Sequence, residues 1–287
     1  MLNHSQPLID THLHLIYRDK FDYAWTDGIP ALAEGNFSVN DYLSLMDSQR
    51  LEQTIFMEAA VNDLFVKEET RFALSLAEEP NNKIAGVIAS CRPENSDSIF
   101  DEWLAETKES KVVGFRRILH TEADELSTRQ AFRNNINKIG LQGKTFDLCM
   151  LEKQLPFAIE LAKACDNTQM ILNHCGIPDI ATGDFNHWAR HISQLALLPH
   201  VNCKISGVIA YCPAGESNAD TLRPYIEHCV ASFGWDRLLW GSDWPVCNLA
   251  NGISDWVNIF NQFLAQENAE TQDKVSRQNA IRVYSLR

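Results

Sequence analysis

Near the start of the chain, Asp10, His12 and His14 alternate with Thr11 and Leu13 inside the run Leu8-Ile9-Asp10-Thr11-His12-Leu13-His14-Leu15. Successive side chains of an extended strand point to opposite faces. The spacing therefore predicts Asp10, His12 and His14 on one face and Ile9, Leu13 and Leu15 on the other. Two imidazoles and a carboxylate on an apolar strand are costly to bury unless they are paired or in use. They suit two kinds of chemistry: holding a divalent ion, or polarising a bound carbonyl. An H-x-H triplet is a weak signature alone, so its weight depends on partners further along.

The elements that would bring partners recur at regular spacing. After the first strand a long aromatic loop, residues 17–37, carries Trp25, and Ser38 then caps a helix with Leu43, Leu45 and Met46 as its apolar stripe. Short apolar runs come next at 53–61, 83–91, 111–119, 145–150, 169–175, 201–207 and 237–243, separated by helical patterns. With the opening run this makes eight strands alternating with eight helices, plus a further C-terminal helix over 271–284. Such alternation implies βαβ units and a parallel sheet covered on both faces. Eight units without a Pro/Gly linker or charge block predict a single α/β domain over residues 1–287, a (β/α)8 TIM barrel. The absence of G-x-G-x-x-G after the first strand argues against a dinucleotide fold.

In such a barrel, chemistry sits where strands end. Strand one ends with His12 and His14, and strand two with Glu58. Strand four ends with Arg116, Arg117 and, just beyond, His120. Strand six ends with Asn173 and His174, strand seven with Lys204, and strand eight with Ser242, Asp243 and Trp244. Arg116 shares parity with Gly114 and is expected inward, Arg117 outward. Each residue also has a purely structural alternative. His174 serves as a core histidine, Asp243 as a turn cap, His120 as a loop residue, and Glu58, Arg116 and Lys204 as a buried ion-pair network. His4, His187, His191, His200 and His228 are expected to be solvated.

The net charge is −13 and the pI about 5.1. An acidic chain with no basic block excludes nucleic acid as a partner class. No run approaches the length of a membrane span, and no signal pattern is evident, so a cytoplasmic protein without a membrane partner is expected. A homo-oligomer is compatible with the sequence. Eight cysteines without a C-x-x-C pair are expected as buried, reduced thiols, with a nucleophilic Cys175 or Cys203 as a minor alternative.

The segments IDTHLHL, EETRFALSLA, KVVGFRR, MILNHCGIP, VNCKISG, LLWGSDWPV and NAIRVY resemble the amidohydrolase superfamily. More narrowly they resemble its amidohydrolase-2 branch, which includes sugar-lactone and muconolactone-type lactonases. The resemblance runs from the first strand to Tyr284. It implies the barrel and a general-base aspartate at the end of strand eight, here Asp243. Binuclear members carry Lys or Glu at the end of strand four and His at the end of strand five. This chain has Arg116/Arg117 and no strand-five His, which implies at most one divalent ion, zinc by ligand type, on His12, His14, His174 and Asp243. The branch also resembles cases in which the histidines polarise the carbonyl without metal. It tends to an amide-type residue at the end of strand two, where Glu58 stands here.

The resulting expectation is a hydrolase of carbohydrate metabolism that opens the lactone of a sugar acid or related small acid. Asp243, His174, His12 and His14 are its catalytic residues. Arg116, Lys204, His120, Trp25, Glu58 and Trp244 surround the substrate. The alternatives are a metal-dependent decarboxylase on the same barrel and a barrel that binds a ligand without catalysis.

Overall fold

The computed structural model describes residues 7–286, so His4 lies outside the described residues. Eight parallel strands succeed one another around the sheet in chain order. They are β1 (Leu8–Leu13), β2 (Leu51–Met57), β3 (Ile84–Ser90), β4 (Val112–Ile118), β5 (Thr145–Cys149), β6 (Met170–Leu172), β7 (Val201–Ser206) and β8 (Leu238–Gly241). The helices that come after them in turn are α1 (Val39–Leu45), α2 (Val66–Ala77), α3 (Asp97–Thr107), α4 (Gln130–Leu141), α5 (Leu155–Ala164), α6 (Phe185–Ala196), α7 (Ala219–Phe233) and α8 (Ile253–Leu264). The seam between β8 and β1 is held by Asp243 N–H to His12 O (2.8 Å) and His14 N–H to Trp244 O (2.9 Å). The result is a nearly closed (β/α)8 barrel in one domain.

Two apolar layers hold it. Leu13, Leu15, Phe115, Phe146, Trp188, Trp240 and Trp256 belong to the large core between strands and helices. A smaller cluster inside the barrel joins Ile9, Ile55, Met57, Ile88, Ile171 and Leu239 to Ala280, Val283 and Tyr284. The last three residues belong to the C-terminal helix, which therefore closes the bottom of the barrel. That helix runs as α9 (Ala269–Asp273), a π-helical turn at Lys274–Gln278, and α10 (Asn279–Tyr284), where the pattern predicted one unbroken helix. At α1, Ser38 and Asp41 form the reciprocal cap expected of Ser-x-x-Asp. The buried anchor of α1 is Tyr42, whereas Leu45 is exposed. His187, His191, His200 and His228 are half-buried rather than solvated, and His200 and His228 bond backbone carbonyls at 3.0 and 2.8 Å.

One departure from strict alternation matters for the site. Between Asp10 and Leu13 the first strand advances three residues while its partner β2 advances two, from Thr54 to Phe56. This extra residue is a bulge, and a bulge reverses the parity of the residues beyond it. Ile9 points into the barrel below it, and His12 and His14 point into the barrel above it. Asp10, expected on their face, instead turns to the helix side and accepts a hydrogen bond from Tyr42 Oη at 2.7 Å.

Candidate active site

The histidines and Asp243 meet at the C-terminal mouth of the barrel. Asp10 sets two of the strands that carry them, since its Oδ1 accepts from His12 N–H (3.0 Å) and from Ser242 N–H (2.8 Å). Asp243 then turns back into the barrel with φ of +56°, and His174 does the same at +52°. Left-handed backbone at non-glycine residues costs of order 1–3 kcal/mol each and is sustained only by surrounding structure. The same turn ends β6 at Leu172, three residues before the apolar run suggested. Asp243 also needs space behind it: a Cβ on Gly207 would stand 2.1 Å from Asp243 Oδ2. Glycine at this position is what lets the carboxylate fold inward.

Asp243 Oδ1 lies 3.5 Å from His12 Nε2 and 3.3 Å from His14 Nε2, and the two imidazole nitrogens are 3.2 Å apart. Asp243 Oδ2 is buried and has no hydrogen-bond partner among the described residues. His174 Nδ1 is 3.7 Å from that oxygen, but it is 3.0 Å from Ser206 O. The carbonyl fixes the proton on Nδ1 and leaves Nε2 bare. His14 is held alike by Met57 O, 3.1 Å from its Nδ1. Burial, and after it the positive charges of Lys204 and Arg116 among its neighbours, lowers the pKa of His12 well below the usual imidazole value. Burial outweighs the pull of Asp243 and brings His174 down to about 4.

Arg116 spans the barrel beneath them. Its Nε donates to Glu58 Oε1 (2.6 Å), its Nη2 to Glu58 O (2.7 Å), and its Nη1 lies 3.3 Å from His12 Nε2. Burial works against the Glu58 carboxylate, but Arg116 and Ala60 N–H outweigh it and hold its pKa below the usual range. Glu69, which donates no charge to this pair, is pushed up to about 8 by burial and by the Glu58 charge. Above the site opens a cavity of about 440 Å³, bordered by His14, Trp25, Arg116, His120, His174 and Asp243 among others. Trp25 is fixed there by its Nε1–H to Ala59 O at 2.8 Å.

Two of the expected substrate contacts do not reach this cavity. Lys204 is fully buried below it and donates to Asp147 Oδ1 (2.8 Å) and Thr11 O (3.0 Å) above the Tyr284 ring. Trp244 turns outward to pack on Phe37 and Tyr42. Glu58 does border the cavity, but Arg116 occupies it. Arg117, expected outward, reaches the rim and pairs with Glu94 (2.8 Å) and Glu122 (3.1 Å).

Sequence reasoning passed over four contributors. Cys149 ends β5 where a histidine was sought, lines the cavity, and lies 3.4 Å from His120 Nδ1. Burial pushes its thiol up to about 12, which disfavours the thiolate. Tyr211 borders the cavity beside His174. Gly207 and Glu69 lie within the family-like segments VNCKISG and EETRFALSLA, yet their roles depend on contacts across the barrel.

Could the site hold an ion? His12, His14 and Asp243 each offer one ligand atom within 4.8 Å of the others. With His14 Nε2 bare and His12 Nε2 facing it at 3.2 Å, converging nitrogen and carboxylate donors fit a divalent cation such as zinc. His174, the fourth expected ligand, stands beside this trio with its Nδ1 3.7 Å from Asp243 Oδ2.

Residues 9–286 match the family described as Amidohydrolase. The chain belongs to that family. It is 28% identical to an L-fucono-1,5-lactonase of Burkholderia multivorans, over 97% of this chain and 96% of that protein. It is 23% identical to a 4-sulfomuconolactone hydrolase of Rhizobium radiobacter, over 82% of this chain and 75% of that protein. A solved amidohydrolase from Burkholderia multivorans with bound zinc superposes with a TM-score of 0.88 at 28% identity, covering 98% of this chain and 100% of that one. The chain is thus a hydrolase of the amidohydrolase family on a TIM barrel. Among the described residues, no helix is long and apolar enough to cross a membrane.

Proposed function

We propose that this hydrolase opens a small lactone, with Asp243 as the base. The observation that carries the reading is the Asp243 carboxylate: the residue borders the cavity, one oxygen faces two imidazoles, and the other is buried without a hydrogen-bond partner among the described residues. Asp243 takes a proton from water as the water oxygen bonds to the lactone carbonyl carbon. The tetrahedral intermediate places negative charge on the former carbonyl oxygen, for which the Arg116 guanidinium at the cavity wall is the hydrogen-bond donor. Collapse breaks the bond to the ring oxygen, which recovers the proton from Asp243 and leaves a hydroxy acid. His174, with Nε2 bare, accepts a hydrogen bond from water or a substrate hydroxyl. A zinc ion held by His12, His14 and Asp243, as the zinc-bound neighbour suggests, supplies Lewis-acid polarisation of the carbonyl when bound.

The charge balance of the cavity narrows the substrate. Every guanidinium that borders it already has a carboxylate: Arg116 has Glu58, Arg117 has Glu94 and Glu122, and Arg92 has Asp63. Burial and Arg116 lower the pKa of His120, which disfavours its charged form. Unless an ion sits on the His12–His14–Asp243 trio and supplies the missing positive charge, a carboxylate on the substrate would meet Asp243 and Glu58 with no free cation, at a cost of several kcal/mol. A neutral, polyhydroxylated sugar lactone fits this cavity better than an acid-bearing muconolactone.

The test is a panel of sugar 1,4- and 1,5-lactones beside muconolactones, with acid release read by a pH indicator and metal content by elemental analysis. A neutral sugar lactone should exceed any acid-bearing one by at least about tenfold in kcat/KM, equivalent to about 1.4 kcal/mol. Asp243→Asn should lower turnover by about 100-fold or more. Unchanged turnover in that variant removes Asp243 as the base, and a preference for acid-bearing lactones overturns the charge argument.

A further inference from the structure

On the helix side of β6 and β7, away from the cavity, three thiols converge. Cys175 comes from the turn after β6, Cys203 from β7 and Cys229 from α7, and all three are fully buried. Each sulfur lies within 4.8 Å of the other two. Cys203 Sγ and Cys229 Sγ are 4.0 Å apart, and Cys175 Sγ lies 3.9 Å from Lys204 O. Among the described residues this is the one place where three thiols meet. Burial alone is explained by apolar packing, since a free thiol behaves as a small hydrophobe. The convergence of three sulfurs from three separate elements is not.

The spacing has a chemical meaning. Three sulfurs in a plane around a zinc ion, each at about 2.3 Å, stand about 4.0 Å from one another. That is the observed separation of Cys203 and Cys229. An all-sulfur donor set selects soft ions over magnesium or calcium. Binding replaces three S–H bonds with three metal–sulfur bonds and releases three protons, so a divalent ion leaves one net negative charge. The Arg237 guanidinium is tied to the carbonyls of Ala196, Leu198 and, two residues before Cys203 on β7, Val201.

We propose that Cys175, Cys203 and Cys229 form a second metal site, for one soft divalent ion of the zinc or cadmium type, separate from the His12–His14–Asp243 trio. Although His174 and Cys175 are adjacent in sequence, the turn sends the imidazole towards Asp243 and the thiol into the helix-side core. The site would tie α7 to the barrel wall, and its role would be structural.

The test uses cadmium with the reduced, chelator-treated full chain. The background is His14→Ala/Cys149→Ala, which removes a ligand of the His12–His14–Asp243 trio and the cavity thiol. Thiolate-to-cadmium charge-transfer absorbance should rise to saturation at one ion per chain, with three protons released and an increase in Tm. Adding Cys203→Ala or Cys229→Ala should abolish the absorbance, whereas Cys91→Ala should leave it intact. Should the Cys203 and Cys229 variants fail to fold, X-ray absorption on the cadmium-loaded background decides. A three-sulfur shell supports the site, and a nitrogen or oxygen shell overturns it. Absence of saturable absorbance, or equal absorbance with and without Cys203 and Cys229, also overturns it.

Discussion

Two buried ion pairs cross the interior of this barrel at different heights. The upper one, Arg116 with Glu58, borders the cavity, touches His12, and is backed by Glu69, a buried carboxyl that shares its surroundings. The lower one, Lys204 with Asp147, is sealed between Asn173 above and the Tyr284 ring of α10 below. Both are paired charges that reach across one intervening strand, Glu58 at the end of β2 to Arg116 on β4 and Asp147 on β5 to Lys204 on β7. Their difference lies in what remains uncommitted. Arg116 keeps Nη1 aimed at the histidines, while the Lys204 ammonium is consumed by Asp147 and Thr11 O. A buried pair with a spare donor can act on a ligand, and one without can only hold the barrel closed.

The largest effect expected from this contrast is on stability. Lys204→Met leaves Asp147 buried without its cation and should cost about 3–5 kcal/mol, read from urea midpoints. Turnover per folded molecule should stay near that of the parent. Lys204→Met/Asp147→Leu should recover most of the loss. Lost turnover at undiminished stability would erase the distinction between the two pairs.

The upper pair should respond the other way. Arg116→Lys keeps the charge opposite Glu58, but an ammonium cannot reach Glu58 Oε1, Glu58 O and His12 at once. A fall in kcat of about 100-fold is expected, the scale of a removed oxyanion donor, with little change in Tm. Equal kcat would demote Arg116 to scaffolding.

A third effect, read in the pH dependence of stability, concerns Glu69. Burial and the Glu58 charge raise its pKa from 4.5 to about 8, with Arg116 and Arg92 opposing. The folded state therefore binds this proton more tightly than the unfolded chain does. Its contribution is fully present below about pH 4.5 and is lost as pH rises through about 8. The wild type should lose Tm relative to Glu69→Gln across that window, at about 2–4 °C for each kcal/mol. Parallel Tm profiles from pH 5 to 9 would show that Glu69 is not protonated in the fold.

Much of this molecule is determined locally. The alternation of apolar runs and helical patterns specifies eight βα units, because parallel strands covered on both faces must be continuously apolar and separated by helices. Seven short segments, from IDTHLHL to NAIRVY, also specify the family, and the rule that barrels present their strand ends to the ligand brings His12, His14, His174 and Asp243 to one place. Tertiary structure alone decides three further matters. A bulge between Asp10 and Leu13 resets the parity of β1, which turns Asp10 away from the face its spacing suggested. Depth along the barrel axis separates Arg116 from Lys204, because strand tilt and stagger, invisible in any one strand, set the height at which a side chain enters. Compensation of Arg92, Arg116 and Arg117 by carboxylates from other loops turns a cavity lined with arginines into one without a free positive charge. Alternation assigns a residue to a face of its strand; only the closed barrel assigns it a height, a partner and a remaining valence.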